Sequence, residues 1–597
     1  MSTKCDPSIT VDTTTEFRCA LDLTRYALGD GRALVYAPQF ARSEILSAQE
    51  MQLLQSVQGS ATLECHAISL CRQLALAPHT VAQLHEQLKS LAARKLLVSD
   101  LELKTVLRAN YHDKLDRKIT ALGISACDDP EALERCVRSY GAKLLQLGRQ
   151  MQVYVTDDSR PELAAQNRER LEATTRALKI DVAYSDRQSR EEFCQALSSH
   201  ANVPLDAVRL ALLASEFLHT SGGNLNTFAL STVGQLALLV GQDTLCDLTA
   251  PAGRETGVQL TSEYTPTTFW GKKEDQGPGD EDLFSVHERL LGRSLGALID
   301  EGASLTAVKH SFFKNARPES SVAVTSVGEM FSSSLSQLEL LLRLDGPAHG
   351  RLTTDEQSFA AIMQHGAPVQ GVARATVSSE SFSTSLNIAI DNTQVLPPFV
   401  PVRQNQEKCF ANLLQANSGA CYFGFLPEIL TRQSNSFTGD SGVKLTSGDI
   451  VFAFLRSYQP LASIDPRHGF SRLGEFLIDW GTAPLADFEQ EIKRIASILA
   501  STKIERLEAL LKKFGQRPHF WADAVRTKCS QLKSAVAAPD YVIAADFARQ
   551  SDNDEARARM QKLVLNLGQL LCHWLPLRQA AAELQAKGNL PYRMISK

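Results

Sequence analysis

A run of five apolar residues, Leu236 to Val240, constrains the fold of this chain more than any other feature. A continuous apolar run of this length is typical of a strand that is buried on both faces, as in a parallel sheet. Gly234 lies just before the run, where a glycine commonly closes the preceding helix. The run ends at Gly241-Gln242-Asp243, which predicts an acid at the carboxyl end of a buried strand, where open α/β sheets bind ligands.

Three earlier segments repeat this pattern and alternate with helical segments. We interpret Ile119–Ile124, Met151–Val155 and Ile180–Tyr184 as buried strands. The helix after the first strand is predicted to begin at a cap formed by Asp128 or Asp129. Strands that alternate with helices indicate a doubly wound α/β sheet, in which right-handed crossovers make the strands parallel.

Composition excludes several classes of protein. The chain has 597 residues and is 44% hydrophobic, which predicts several domains with ordinary globular cores. A net charge of -5 argues against a nucleic-acid-binding surface. The sequence has no run of eighteen apolar residues, so no membrane span is predicted. Its first residues lack a charged-then-apolar signal pattern, which predicts a cytoplasmic protein.

The cysteine spacing and the absence of two nucleotide-binding motifs exclude further classes of protein. The twelve cysteines form no C-x-x-C pair, so we interpret them as reduced residues rather than zinc ligands or disulfides. The sequence after the first strand reads GISACDD and contains no G-x-G-x-x-G, which argues against NAD binding. The chain also has no G-x-x-x-x-G-K-[ST], so it is not a P-loop ATPase.

The N-terminal part is predicted to form a flexible lead over residues 1–17 and a small module over residues 18–110. A short strand, Ala33–Tyr36, precedes a helix from Thr80 to Leu97 whose leucines share one face. This winged-helix-like outline resembles the PqqD-like module that accompanies enzymes of modified-peptide biosynthesis. The resemblance implies a peptide-docking domain that adds an extended peptide to a sheet edge. A small structural cap on the next domain is the alternative.

Motifs in the centre of the chain are similar to those of a second family. The segment VYVTDDS, Val153 to Ser159, and the segment from Gly222 to Asp243, which opens with GGNLN, resemble glycosyltransferases of the GT-A fold, especially the inverting family-two type. The resemblance implies a GT-A-like domain over residues 111–483 that uses a nucleotide-sugar donor. It also implies that the nucleotide is held by Asp157, Asp158, Ser159, Asn224 and Asn226.

The same resemblance implies a metal ion and a catalytic base. Asp243 matches the family's Asp-x-Asp, which holds a divalent Mn²⁺ or Mg²⁺ that stabilises the leaving diphosphate. The segment Leu396–Phe410 looks like the family's acidic-pair segment, in which Glu407 would deprotonate the acceptor hydroxyl. Both motifs are degenerate, because Gly241 replaces the first metal carboxylate and Gln406 replaces one acid of the pair.

These departures leave two hypotheses open. The first is a sugar transferase whose acceptor the sequence does not identify, with a peptide as one candidate. The second is a catalytically inactive, glycosyltransferase-like scaffold or peptide-binding partner in a modified-peptide pathway. Asp157 and Asp158 have an alternative interpretation as caps of the helix that begins near Pro161. A surviving active site predicts that Asp157, Asp243 and Glu407 line one cleft.

The last segment, residues 484–597, is predicted to be an α-helical domain. Apolar residues recur at helical spacing through both halves of the segment, which is typical of helices that pack in a bundle. Trp574 and Pro576 are predicted to mark a packing turn, because a proline interrupts the hydrogen bonds of a helix.

Overall fold

A computed structural model defines the fold. The predicted flexible lead lies mostly outside the described residues, as do Arg403 and Gln404. The structure describes residues 15–21, 23–37, 40–57, 59–108, 117–214, 221–251, 253–262, 268–270, 276–278, 281–309, 312–313, 320–330, 336–365, 369–380, 387–402, 405–418, 421–433, 442–458, 468–538 and 540–595.

The strands are numbered in chain order. They are β1 (Glu16–Cys19), β2 (Thr24–Gly29), β3 (Arg32–Ala37), β4 (Arg42–Leu46), β5 (Ala61–Thr62), β6 (Leu97–Ser99), β7 (Ile119–Ala126), β8 (Gln152–Asp157), β9 (Val182–Ser185), β10 (Leu236–Gly241), β11 (Thr244–Pro251), β12 (Val258–Thr261), β13 (Thr268–Trp270), β14 (Gln276–Pro278), β15 (Ser304–Leu305), β16 (Ser321–Met330), β17 (Val369–Gly371), β18 (Ala375–Ser378), β19 (Ile388–Asp391), β20 (Cys421–Arg432) and β21 (Arg593–Ile595).

The helices are numbered in the same way. They are α1 (Ala48–Ser56), α2 (Leu63–Gln73), α3 (Val81–Ala93), α4 (Asp100–Leu107), α5 (Pro130–Leu147), α6 (Pro161–Leu178), α7 (Arg187–Ala201), α8 (Leu205–Leu212), α9 (Ser221–Ser231), α10 (Leu283–Glu288), α11 (Leu295–Asp300), α12 (Gln337–Arg343), α13 (Gly346–Leu352), α14 (Glu356–His365), α15 (Gln406–Ser418), α16 (Ser447–Ser457), α17 (Gly469–Thr482), α18 (Leu485–Lys513), α19 (His519–Ala537), α20 (Ala545–Ala548) and α21 (Asn553–Ala586).

The centre of the molecule is a large mixed sheet with helices packed against it. Its main path runs in the order β15-β12-β18-β20-β16-β19-β10-β7-β8-β9-β21. Strands β7, β8, β9 and β10 are parallel to their neighbours in this set, which confirms the predicted α/β class and the four predicted strands. β10 is antiparallel to β19, so the sheet continues beyond them in mixed orientation. The finer assignment to a GT-A fold stays a prediction.

The strand order fixes where a ligand site would lie. The chain runs from β7 outward to β8 and β9, and it then returns to β10 on the other side of β7. This reversal makes the carboxyl ends of β7 and β10 the topological switch point, where open α/β sheets form a crevice. The predicted cap of α5 is resolved as Asp129, whose Oδ1 accepts a hydrogen bond from the Ala132 amide at 3.0 Å.

The N-terminal module contains two small antiparallel sheets, β2-β3-β4 and β5-β1-β6. Buried side chains of α1, α2 and α3 pack with Val35 and Leu46 of the first sheet in one apolar cluster. Arg18 joins the module to the central domain, because it pairs with Asp100 at 2.6 Å and donates to the Leu305 carbonyl at 2.9 Å. The winged-helix assignment stays a prediction.

The C-terminal helices share a core with the central domain. One buried cluster includes side chains of α7 and α8 together with those of α16, α17, α18 and α21. The cluster therefore crosses the predicted domain boundary at residue 484. β21 also follows these helices and pairs with β9 at the edge of the central sheet. In the described part of the chain, no helix is both long and apolar enough to span a membrane.

The predicted packing turn at Trp574 and Pro576 is wrong. α21 continues through Pro576 without a break. Trp574 is buried, and its Nε1 donates to the Leu396 carbonyl at 2.7 Å. Tertiary packing along this long helix outweighs the hydrogen bond that a proline removes.

Candidate functional site

The crevice between the ends of β7 and β10 is bridged by the protein itself. The Gln242 side chain accepts from the Cys127 amide at 3.0 Å and donates to the Cys127 carbonyl at 2.7 Å. The Gln242 backbone amide also donates to the Ser125 carbonyl at 3.1 Å. Gln242 therefore holds the loop after β7 against the end of β10 at the switch point.

Asp157 ends β8 as a buried acid whose two oxygens are both engaged. Its Oδ1 accepts from the Ser159 amide at 2.9 Å. Its Oδ2 accepts from Asn167 Nδ2 at 2.7 Å and from the Tyr184 hydroxyl at 2.6 Å. Burial and the Asp157 charge both raise the pKa of Tyr184, so its hydroxyl remains a proton donor. Asp157 thus connects β8, α6 and β9.

The interpretation of Asp157 and Asp158 as caps of α6 is wrong. Arg160 occupies the N-cap position, and no side chain caps the helix. The neighbouring Ser159 instead accepts from the Asp128 amide at 2.7 Å, which ties the loop after β8 to the loop after β7. These polar residues therefore hold two strand-end loops together.

Arg190 of α7 connects the two motifs that the sequence singled out. It is fully buried and donates to Asp158 Oδ1 at 2.9 Å and to the Asp157 carbonyl at 2.8 Å. It also donates to the Leu212 carbonyl at 2.9 Å and to Asn224 Oδ1 at 3.0 Å. The Asp-Asp-Ser segment and the GGNLN helix thus share one buried cation.

The two asparagines of α9 bond to backbone groups. Asn224 donates to the Ala126 carbonyl at 3.1 Å. Asn226 donates to the Phe399 carbonyl at 2.8 Å and to the Ala211 carbonyl at 2.9 Å, and it accepts from the Phe399 amide at 2.7 Å. All five predicted nucleotide-binding residues are at most 3% exposed and bond within the fold. Their contact with a nucleotide stays a prediction.

Arg432, at the end of β20, interacts with Asp243, a predicted site residue. Its Nε donates to Asp243 Oδ2 at 2.6 Å, and its Nη1 lies 3.8 Å from Glu329 Oε2. Burial lowers the pKa of Arg432, but the charges of Glu329, Asp243 and Glu407 outweigh it and raise that pKa. Asp243 therefore bonds to Arg432 and Glu407 acts on it only through its charge, whereas Asp157 belongs to the separate network around Arg190.

The residues at Asp243 do not fit a divalent metal ion. Hard cations bind several oxygen ligands, and carboxylates supply most of the charge. Here Gly241 contributes no carboxylate, and Asp243 already accepts from Arg432. Among the described residues, no group of three or more His, Cys, Asp or Glu side chains is arranged to hold a metal.

Glu407 lies at the start of α15 beside a small cavity of about 20 Å³, which has room for about one water. The cavity is lined mainly by aromatic and apolar side chains, among them Phe410 and Phe425. Thr325 reaches it from β16 and bonds at 2.8 Å to Nδ1 of His287. Burial, reinforced by a nearby arginine, lowers the pKa of His287 to about 3, so this imidazole is neutral.

Sequence reasoning missed three residues that organise this region. Arg190 and Arg432 carry no motif and lie far along the chain from the acids that they pair with. Gln242 lies inside the degenerate metal motif Gly241-Gln242-Asp243, where the sequence indicates only that one metal-binding carboxylate is missing. The one signal in the sequence was the polar side chain of Gln242 at a buried strand end, because a buried polar side chain usually forms a hydrogen bond with a nearby group.

Comparison with known proteins does not assign this chain to a family. The candidate site therefore rests on the sequence motifs and on the contacts around Arg190, Gln242 and Arg432. No family model matches the chain, and neither a curated protein nor a solved structure matches it.

Proposed function

We propose that this chain is a non-catalytic, glycosyltransferase-like binding protein of a modified-peptide pathway, and that its N-terminal module binds an extended peptide. The observation that carries the proposal is the sheet β2-β3-β4. All six residues of its edge strand β2 are exposed. An exposed edge strand presents unpaired backbone groups, to which an extended peptide adds as a further strand.

The same sheet has an apolar face toward solvent. Leu34 of β3 lies opposite Tyr26 of β2 and Ile45 of β4, so the three side chains form one row across the sheet. Tyr26 is 55% exposed and Ile45 is 54% exposed, while Val35 on the other face is fully buried. An apolar row beside an open strand edge supplies the side-chain contacts that a bound peptide needs.

The central domain supports a binding role rather than metal-dependent sugar transfer. The guanidinium of Arg432 neutralises Asp243, the acid that the family resemblance assigns to the metal. Gln242 bridges the switch-point crevice through both of its side-chain atoms. In both arrangements the protein's own side chains bond to the polar groups of the crevice. A bound nucleotide-sugar and its metal ion would have to compete for those groups.

Selection of displayed random peptides on the full chain tests this function. We expect enriched peptides to bind the wild type and to bind the double variant Tyr26→Ala/Ile45→Ala at least about tenfold more weakly, because two apolar contacts are lost. Ile498→Ala is the matched control, since Ile498 is also exposed but lies on α18. The absence of any enriched peptide, or equal binding to the double variant, would contradict the proposal.

A sugar transferase is the second candidate, and one observation favours it. The charges of Asp243 and Glu407 both raise the pKa of Arg432, so the predicted metal acid and the predicted base act on the same cation. In this alternative Arg432 supplies positive charge to the diphosphate, and Glu407 accepts the acceptor's proton. The two candidates differ in whether the chain binds nucleotide-sugars.

A further inference from the structure

A second cleft lies on a different face of α15 from the one that carries Glu407. It has a volume of about 310 Å³, at the lower end of the range for small-molecule sites. It opens between α15, α16 and the residues after β18. Its lining combines charged, amide and aromatic side chains, among them Glu380, Lys408, Asn412, Phe452 and Arg456.

The cleft offers hydrogen-bond acceptors. Asn412 Oδ1 is buried and has no hydrogen-bond partner within the described part of the chain. Glu380 places a carboxylate on the same cleft; burial raises its pKa, against the opposing charges of Lys309 and Arg456 and a hydrogen bond from the Gln415 side chain. A buried acceptor without a donor is costly, and a buried carboxylate gains most from a positive partner. These two groups suit a ligand ammonium.

The same cleft also offers positive charge. The Arg456 guanidinium lies 5.8 Å from the centre of the Phe452 ring and forms no ion pair with the residues that the structure describes. The Arg456 charge lowers the pKa of Glu380, but the two side chains do not form an ion pair. Lys408 also lines the cleft and is partly neutralised by Glu339, 3.3 Å away. A planar guanidinium with free donors suits a ligand carboxylate.

The rest of the wall is apolar. Leu455 and Ala416 lie beside the rings of Phe452 and Tyr458 in the lining. A ligand with both charges and an apolar side chain would therefore satisfy each part of the cleft. Neither a nucleotide nor a simple anion has an ammonium for Glu380 and Asn412.

We propose that this cleft binds a free α-amino acid with an apolar or aromatic side chain. The ammonium lies against Glu380 and Asn412, and the carboxylate lies against Arg456. The side chain packs on Phe452 and Tyr458. This site is separate from the Arg432 centre and does not depend on the function proposed for it.

Calorimetry on the full chain with leucine and phenylalanine tests the proposal. We expect one of them to bind, and we expect its methyl ester and its N-acetyl derivative each to bind at least about tenfold more weakly, because each lacks one charge. No binding of any standard amino acid at millimolar concentration overturns the proposal. Equal binding of the blocked derivatives also overturns it.

Two variants test which protein side chain binds each charged group of the ligand. Arg456→Gln is expected to weaken the free amino acid about tenfold and to leave the methyl ester unchanged, because the ester has no carboxylate. Glu380→Gln is expected to weaken the free amino acid similarly and to leave the N-acetyl derivative unchanged. Arg472→Gln and Glu505→Gln, at exposed positions on α17 and α18, are the matched controls. Loss of binding in these controls to the same extent contradicts the site.

Discussion

Replacing Arg190 by methionine is expected to destabilise the central domain by about 3–5 kcal/mol, because it removes one partner of a buried ion pair. Arg190 is fully buried and donates to Asp158, to Asn224 and to two backbone carbonyls. Methionine fills a similar volume but donates no hydrogen bond. Arg187 still pairs with Asp158 in the variant, but it is 33% exposed and does not reach the carbonyls in the structure.

The urea midpoint of unfolding, followed by a signal from the central domain, measures this effect. Arg135→Gln on α5 is the matched control, since Arg135 is exposed, and surface substitutions usually change the free energy of unfolding by less than about 0.5 kcal/mol. An Arg190→Met midpoint equal to that of the control would mean that the Asp-Asp-Ser segment does not depend on this cation.

Replacing Gly568 by alanine is expected to destabilise the contact between α17 and α21 by about 3 kcal/mol, because an overpacked core moves backbone as well as side chains. A Cβ at Gly568 would lie 2.7 Å from the Gly474 carbonyl oxygen and 2.9 Å from the Ile478 nitrogen. A Cβ at Gly474 would lie 2.6 Å from the Gly568 carbonyl oxygen. The two glycines therefore let the helices approach at backbone distance.

Gly350→Ala is the control, and it is expected to change stability in the opposite direction. Gly350 lies in α13, is exposed, and has open space where a Cβ would be. Alanine at a helical position stabilises relative to glycine by about 0.5–1 kcal/mol, because it restricts the unfolded chain. Urea unfolding of the two variants should therefore shift in opposite directions. If Gly568→Ala left the urea midpoint unchanged, the two helices would be able to move apart with little loss of stability.

The parallel part of the sheet was predictable because its strands are local features. β7, β8, β9 and β10 are short, mostly buried runs that each follow a helix, and the sequence predicts each of them to within about two residues. β21 was not predictable, because its three residues form no pattern of their own and become a strand only by pairing with β9. The glycine contact between α17 and α21 was missed for the same reason, since it depends on which helices meet.

The candidate site was predictable as a set of positions but not as a set of contacts. The sequence located Asp157, Asp158 and Asp243 at strand ends, where the structure has them. It gave no information on Arg190 or Arg432, because the pairing of a charge across the fold leaves no periodic signal. These pairings decide whether an acid faces a ligand or stabilises a loop.

We propose that Arg432, rather than a metal ion, holds Asp243. Calorimetry of the full chain with UDP, GDP and their common sugar conjugates, with and without Mn²⁺, tests it most directly. We expect that Mn²⁺ changes no binding isotherm and that Asp243→Asn behaves like the wild type in every titration. Nucleotide-sugar binding that requires Mn²⁺ and is lost in Asp243→Asn would contradict the account and support a working transferase.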